Sequence, residues 1–499
     1  MLVKSTDDVA KPPAGFWRLW TAQTVSSFGD GVTHAALPLL ALTVTRDPMA
    51  LAAVTAAGTL PWLLFGMLGG ALVDRWDRHR TMWVADTARA ALLALAAAAA
   101  ALDLLSAGLL AAVAFLLALG GLFFDTAATA YLPDLLGRDA ALLQRANSRL
   151  RGAQTAASGF AGPPAGSALL ALGRAAPLLT DALSFALSAL LVRSLPAVPR
   201  PAAGARESLL RQARAGASYV FQDRLLLGLA LRPAVGNIAF VAVETVLALF
   251  AHERLGIGAL GFGLLLTAEA TGGLLGAGLA AFLGRRLGIG TALSCTAVVE
   301  GLAVLGLAAA PDPYVAGLAL AVCGAGMGAT MVLAPSLRQA VVPAHLMGRV
   351  TSTSRMLAMC AAPFGAVLGG WLATTYDVRT PLYAAGGLLL GMTAVTATMT
   401  SNRRVETALR DAASARRGPG GGRRSDDERR AQEVGSSGAV QARDVPGLAE
   451  ELHFTRTAER LRVSPGRVSQ TIKALERRVT GGPRAPAADH GCRGVPRLA

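Results

Sequence analysis

Apolar runs of about twenty residues recur twelve times along the chain, each closed by a short polar or glycine-rich break. A run of that length crosses the hydrocarbon of a bilayer as a helix, so the pattern predicts an all-α, polytopic membrane protein with twelve transmembrane helices. The spans read as 16–44, 50–73, 81–102, 105–128, 147–172, 175–195, 226–250, 259–283, 288–309, 313–335, 353–375 and 380–400. They group into two six-helix halves, 1–195 and 226–400, joined by a linker at 196–225 rich in Pro, Ala and Arg. Within the linker, Leu209 to Phe221 has the pattern of a basic amphipathic helix lying on a membrane surface. From Ser401 the pattern changes to Arg, Gly, Ser and acidic residues with little apolar content, which predicts a disordered tail over 401–444. A patterned segment at 445–480 and a disordered end at 481–499 complete the chain.

Composition agrees with the pattern. The 499 residues are 53% hydrophobic and 16% charged, and a mean hydropathy of +0.47 lies outside the soluble range. The net charge of +15 sits mainly in short loops and the tail, so it sets orientation and not nucleic-acid binding. One set of alternate loops holds Arg75, Arg78, Arg80, Arg138, Arg145, Arg206, Arg285, Arg286, Arg338 and Arg349 among others; the other set holds Arg46, Arg174, Arg254 and Arg379. The basic loops face the cytoplasm, which places both termini inside the plasma membrane. Cys295, Cys323 and Cys360 lie in apolar runs and Cys492 near the end, so no disulfide framework is expected. The first fifteen residues are polar and lack a cleavage site, so no cleaved signal peptide is expected.

Charge is packed between spans two and three in Gly70-Ala71-Leu72-Val73-Asp74-Arg75-Trp76-Asp77-Arg78-His79-Arg80, a polar hairpin that cannot lie in hydrocarbon. This stretch resembles motif A of the major facilitator superfamily at Gly70, Leu72, Asp74, Arg75 and Arg78, with the D-R-x-D-R variant of its macrolide-efflux and enterobactin-exporter branch. The resemblance implies alternating-access transport, with Asp74 holding an inner gate through loop arginines and the positive end of span eleven. The second half echoes the first. Gly162-Pro163-Pro164-Ala165-Gly166 of span five has a counterpart in Ala362-Pro363-Phe364-Gly365 of span eleven, and motif A is echoed by Gly278 to Arg286 without its aspartate. Gly162, Pro163 and Gly166 also resemble the antiporter motif of drug exporters, although Ser158 and Ser167 depart from it. Gly66 and Gly70, and Gly272 and Gly276, have the small-xxx-small spacing of close helix contact. Together with Pro163 and Pro363 they point to spans two, five, eight and eleven as the faces between rocking halves.

Ionisable residues inside spans are costly, about 2.5–3.5 kcal/mol each on insertion scales, and mark function or buried pairing. Asp30, Glu244, Glu269 and Glu300 are such residues. Asp30 and Glu244 are the first candidates for a proton site, Glu269 the next, because the resemblance puts spans one and seven on the central cavity; the alternative is a carboxylate that only hydrogen-bonds a neighbouring helix. Asp86 and Arg89, three apart in span three, read as a structural pair on one helix face. Gln23, Asn237, Met327 and Met331 are candidate cavity wall, with packing the alternative for the methionines. Walker and metal-ligand motifs are absent, so neither an ATP-driven pump nor a metalloprotease is expected, and no catalytic residue, cofactor or metal is assigned. The expected function is proton-coupled export of small hydrophobic compounds, drug-, macrolide- or siderophore-like, by a monomer whose partners are the bilayer, the substrate and protons.

The stretch Glu450 to Glu476 resembles the helix-turn-helix core of LysR-type regulators, with Ala458, Leu461, Val468, Ile472 and Leu475 at its buried spacings. Ser464 would cap a recognition helix presenting Arg467, Ser469, Gln470 and Lys473 to DNA. Pro446 and Gly447 stand where the first helix belongs, and Gly481-Gly482-Pro483 where a wing strand belongs, so the segment is a fragment and DNA is not expected among the partners. A membrane-tethered transcription regulator is the alternative function.

Overall fold

The computed structural model describes residues 13–73, 75–137, 139–196 and 217–417. Among the described residues it is helical throughout, and each predicted span has its helix: α1 (Ala14–Val44), α2 (Pro48–Val73), α3 (Arg78–Ala101), α4 (Ala107–Leu136), α6 (Ala176–Arg193), α7 (Arg224–Glu253), α8 (Ala259–Leu287), α9 (Ile289–Ala309), α10 (Pro313–Val341), α11 (Ala344–Thr375) and α12 (Thr380–Ala397). The fifth, α5, is built from Ala140–Thr155, a π-helical turn Ala156–Ala161 and Gly162–Leu169. Ten of these helices are long and apolar enough to cross a membrane. The other two are α1, with Gln23, Ser26, Ser27, Asp30 and His34 along its middle, and α5, cut into short pieces by its π turn. Starts are fixed locally: Asp77, Ser106, Asp139, Asp223 and Asp312 each accept hydrogen bonds from backbone N–H groups of the first turn that follows.

Leu95, Leu183, Leu190, Leu275 and Leu318 are all more than half exposed, the continuous apolar outer surface that hydrocarbon covers. Inside, the cores of the two halves merge at one end only. There Leu51, Val54 and Leu110 of the first half share a cluster with Val246, Phe250, Leu307 and Leu382 of the second. At the end bearing the basic loops the clusters are separate, one around Phe16, Met82 and Tyr131, the other around Leu225, Leu293 and Leu337. The molecule is thus closed at the end away from the basic loops and divided at the basic end.

α2 packs on α11 and α5 on α8 across the halves, the four helices that the Gly and Pro positions indicate. Their glycines, however, have different partners from those expected. Gly272 and Gly276 seat α8 against the carbonyls of Ala321 and Ala325 on α10, inside the second half, and Gly66 has no heavy atom near the place of its missing Cβ. Cross-half contact falls to Gly370 against Ala52 and Gly263 against Pro163 and Ser167. The Gly-Pro repeat instead brings α5 onto α1, with Gly162 on Gly31 and Gly166 on Val32, and α11 onto α7, with Gly365 on Ile238.

Disorder was expected from Ser401 onward; instead Asn402–Arg417 form a helix, α13. Val405, Ala408 and Leu409, spaced three and four apart, pack on the second-half cluster at the basic end. Asn402 staples the start: its side chain accepts from Thr291 N at 3.0 Å and donates to Leu287 O at 2.8 Å, across a turn where Gly288 holds φ of 78°. Of the expected surface helix in the linker, only its end, 217–222, is described, and it is helical. The rest of the linker and the helix-turn-helix segment lie outside the described residues.

Candidate transport site

A cavity of ≈ 430 Å³ opens between the halves, lined by Gln23, Asp30 and His34 of α1, Trp62 of α2, Arg89 of α3, Asp125 of α4, Gln154 of α5, Asp181 of α6 and Glu244 of α7. Asp30 Oδ1 accepts from Arg89 Nη2 at 2.6 Å. Arg89 also approaches Asp86 Oδ1 at 3.5 Å and lies over the Phe185 ring, 3.7 Å from its centre. Gly120 makes room for it, since a Cβ there would meet Arg89 Cγ at 2.8 Å. Asp86 is fully buried and accepts from Ser188 at 2.6 Å; Asp181, equally buried, accepts from Thr33 at 2.6 Å and Ser184 at 3.0 Å. Asp30 differs from both, because 46% of its side chain is exposed. It is the member of this cluster that water in the cavity reaches directly.

Two polar contacts bridge the halves at cavity depth. His34 Nε2 lies 2.7 Å from Glu244 Oε1, linking α1 to α7, and Arg355 of α11 sits 5.0 Å from the centre of the Trp62 ring on α2. His34 and Glu244 also border a second, smaller space of ≈ 160 Å³ within the second half, lined by Asn237, Glu269, Glu300, Met327 and Met331 among others. Of the cavity candidates, Gln23 therefore faces the central space, where Gln154 donates to it at 3.3 Å, while Asn237, Met327 and Met331 belong to the side chamber. Asn237 is partly engaged, donating to Ala358 O on α11 at 2.9 Å.

The other candidates lie away from the cavity. Gly70 lies in the last turn of α2, Arg75 is exposed, and Arg78 pairs with Asp134 and donates to Ala130 O at 3.3 Å, fastening α3 to α4. Asp77, where motif A has Gly, caps α3 through Arg80 N at 2.8 Å. Asp74, the expected centre of the gate, lies outside the described residues, as do Arg467, Ser469, Gln470 and Lys473. Sequence reasoning missed His34, Asp125 and Asp181. His34 carried a usable signal, four residues after Asp30 and so on the same helix face; Asp125 and Asp181 carried the same signal as Asp30, a carboxylate inside an apolar run.

Two bundles of six helices, joined at one end around a polar cavity, make a multi-pass membrane transporter of the major facilitator type. Residues 13–419 match the transmembrane secretion effector family of that superfamily, and the chain belongs to it. Residues 446–480 match bacterial regulatory helix-turn-helix proteins of the lysR family. The chain is similar to the multidrug efflux pump Tap of Mycolicibacterium fortuitum, 29% identical over 391 residues that cover 76% of this chain and 94% of that one. Tap of Mycobacterium tuberculosis strain H37Rv is 28% identical over 358 residues, 70% of this chain and 84% of that one. A solved bacterial homologue of the iron transporter ferroportin, inward-facing, shares the fold with a TM-score of 0.64 at 17% identity, over 78% of this chain and 98% of that one.

Proposed function

We propose that this chain is a proton-coupled exporter of small hydrophobic compounds, working by alternating access in the cell membrane with both termini cytoplasmic. The observation that carries the reading is Asp30, half exposed in the cavity and bonded to Arg89 at 2.6 Å. A proton on Asp30 removes its charge and leaves the guanidinium to Asp86, loosening α1 from α3; release of the proton restores the pair. Glu244, bonded to His34 across the halves, and Glu269 beside it are further points where a proton and the arrangement of the halves are linked. Arg78 with Gly70, Asp74 and Arg75 serves as the inner gate, and Gly162, Pro163 and Gly166 as the close contact on which α1 moves against α5. Similarity to pumps named for multidrug efflux supports export over uptake.

The test is transport of labelled hydrophobic compounds into everted vesicles holding the full chain or a truncation after Arg417. Accumulation driven by an imposed pH gradient and abolished by its collapse is expected for both; accumulation indifferent to the gradient contradicts proton coupling. The match at 446–480 favours a second reading, a tethered regulator, which requires specific DNA retention by the full chain in a gel shift.

A further inference from the structure

At the basic end of the first half, α3 and α6 place cations at the foot of an apolar outer face. On α6 the exposed side chains Leu179, Leu183, Leu187 and Leu190 follow at helical spacing and form one stripe, which Arg193, also exposed, ends a turn later. α3 repeats the arrangement. Its exposed Val84 and Leu95 share a side of the helix with Arg80, exposed in the first turn. In a membrane-spanning bundle such stripes lie against acyl chains.

The two stripes meet at Trp83. The Arg193 guanidinium lies over its indole, 5.6 Å from the ring centre, so the contact spans α6 and α3 and holds the cation at the rim of the apolar face. Arg80 stands on the same side of α3, one turn before Trp83. A third cation is close, since Arg18 of α1 donates to Ser194 O at 2.9 Å, beside Arg193 in the chain. Against these three stands Asp77, whose Oδ1 accepts from Arg80 N at 2.8 Å as the cap of α3. Asp134 is taken up by Arg78, and His79 is turned to Val192 O at 2.8 Å. The corner is therefore positive. At the same end of the second half, Arg286 over the Phe282 ring is a contact within α8 alone.

We propose that the α3–α6 face binds an anionic phospholipid from the leaflet at the basic end, with the phosphate between Arg80 and Arg193 and the acyl chains along Val84, Leu187 and Leu190. Guanidinium pairs with phosphate through parallel N–H···O bonds. A choline head group would bring its own cation to a corner that already holds three, so the corner selects a head group of net negative charge. Trp83 supplies the amphipathic ring that suits the boundary between head groups and hydrocarbon. By bridging α3 and α6, the lipid fastens the two helices that deeper in the bundle are joined through Asp86 and Ser188, with Arg89 beside them. The site goes beyond the transport reading, and the orientation drawn from the basic loops matters only for which leaflet supplies the lipid.

In the test, full-length protein in detergent is titrated with phosphatidylglycerol and with phosphatidylcholine of the same acyl chains, and bound lipids are counted by native mass spectrometry. The first phosphatidylglycerol is expected to bind at least about tenfold tighter than the first phosphatidylcholine. Arg193→Gln and Arg80→Gln should each weaken it about fivefold, the roughly 1 kcal/mol that one cation near anionic lipid contributes, and leave phosphatidylcholine unchanged. Arg286→Gln removes a cation from the same end, also held over a ring, and should change neither. All three arginines are exposed, and a thermal melt without added lipid checks that each variant folds; should Arg193→Gln fail, Arg80→Gln decides. Equal affinity for the two lipids, unchanged phosphatidylglycerol binding in the folded Arg193 and Arg80 variants, or an equal loss in Arg286→Gln, which would mark diffuse attraction to the whole basic end, overturns the inference.

Discussion

Gly272 and Gly276 bring the α8 backbone against carbonyl oxygens of α10. In a membrane, where lipid is as apolar as leucine, such close approach replaces hydrophobic burial as the source of helix pairing. Gly272→Ala, whose Cβ would fall on the carbonyl of Ala321, should therefore destabilise the folded protein by about 1–3 kcal/mol or more, while Gly66→Ala, whose Cβ has no heavy atom within 4 Å, should not lower thermal stability in detergent; equal effects would contradict the packing. Arg89 is the other residue on which neighbours depend. Arg89→Ala leaves Asp86 buried without its cation, a loss of about 3–5 kcal/mol when one partner of a buried pair is removed. Low yield of folded protein is expected from Arg89→Ala, with recovery in Arg89→Lys, and normal yield from the alanine variant would show the pair to be dispensable. Asp30 stood out in the sequence because a carboxylate in an apolar run is anomalous. Its partner did not, because Asp86 offers Arg89 a local solution at i−3, and only the packing of α1 on α3 reveals the competing one.

At the scale of elements, length and apolarity made the spans legible, since a helix that crosses hydrocarbon has little freedom in either. The π turn in α5 was only partly legible: Pro163 and Pro164, which have no N–H to give to the carbonyls of Gly159 and Phe160, mark a break in the helix just after Ala156–Ala161, but not its π form, and Ser158 in this turn packs on Gly31 of α1. α13 was hidden by composition: its charges read as disorder, and the stripe Val405, Ala408, Leu409 gains meaning only from the surface it covers. Truncation after Ser401 should lower thermal stability, whereas truncation after Arg417 should not; the reverse order would reject the docked helix. At the closed end Arg254 donates to Asp377 at 2.5 Å, joining the α7–α8 and α11–α12 loops. Desolvation, the largest single influence, would raise this carboxyl's pKa, but the bond to Arg254, the Arg254 charge and the backbone N–H groups of Arg379 and Val378 together outweigh it and hold the pKa below the ordinary value. The pair's contribution is thus present at neutral pH and is lost as pH falls through that lowered pKa. Both side chains are more than two-fifths exposed, so Asp377→Asn should cost no more than about 1 kcal/mol at pH 7 and nothing in strong acid, as thermal melts at the two pH values would show. Reporter fusions at Ala310 and Arg410 should read outside and inside; the opposite pattern overturns the orientation drawn from the basic loops.

For the whole molecule, the division into two halves was readable from the repeated Gly-Pro segments; the Gly and Pro positions also named the four helices between the halves, although most of those residues make their closest contacts inside a half. The state of the cavity was not readable. That the cores join at one end and part at the other depends on contacts such as Gly370 with Ala52, which no local pattern encodes. The account turns on Asp30 as the group that ties a proton to the arrangement of the halves. Its most direct test compares uphill export and downhill exchange in the same vesicles carrying Asp30→Asn, which mimics a permanently protonated residue. The account predicts that gradient-driven export stops while exchange persists; uphill export near the unmodified level, from protein inserted in normal amount, would contradict it.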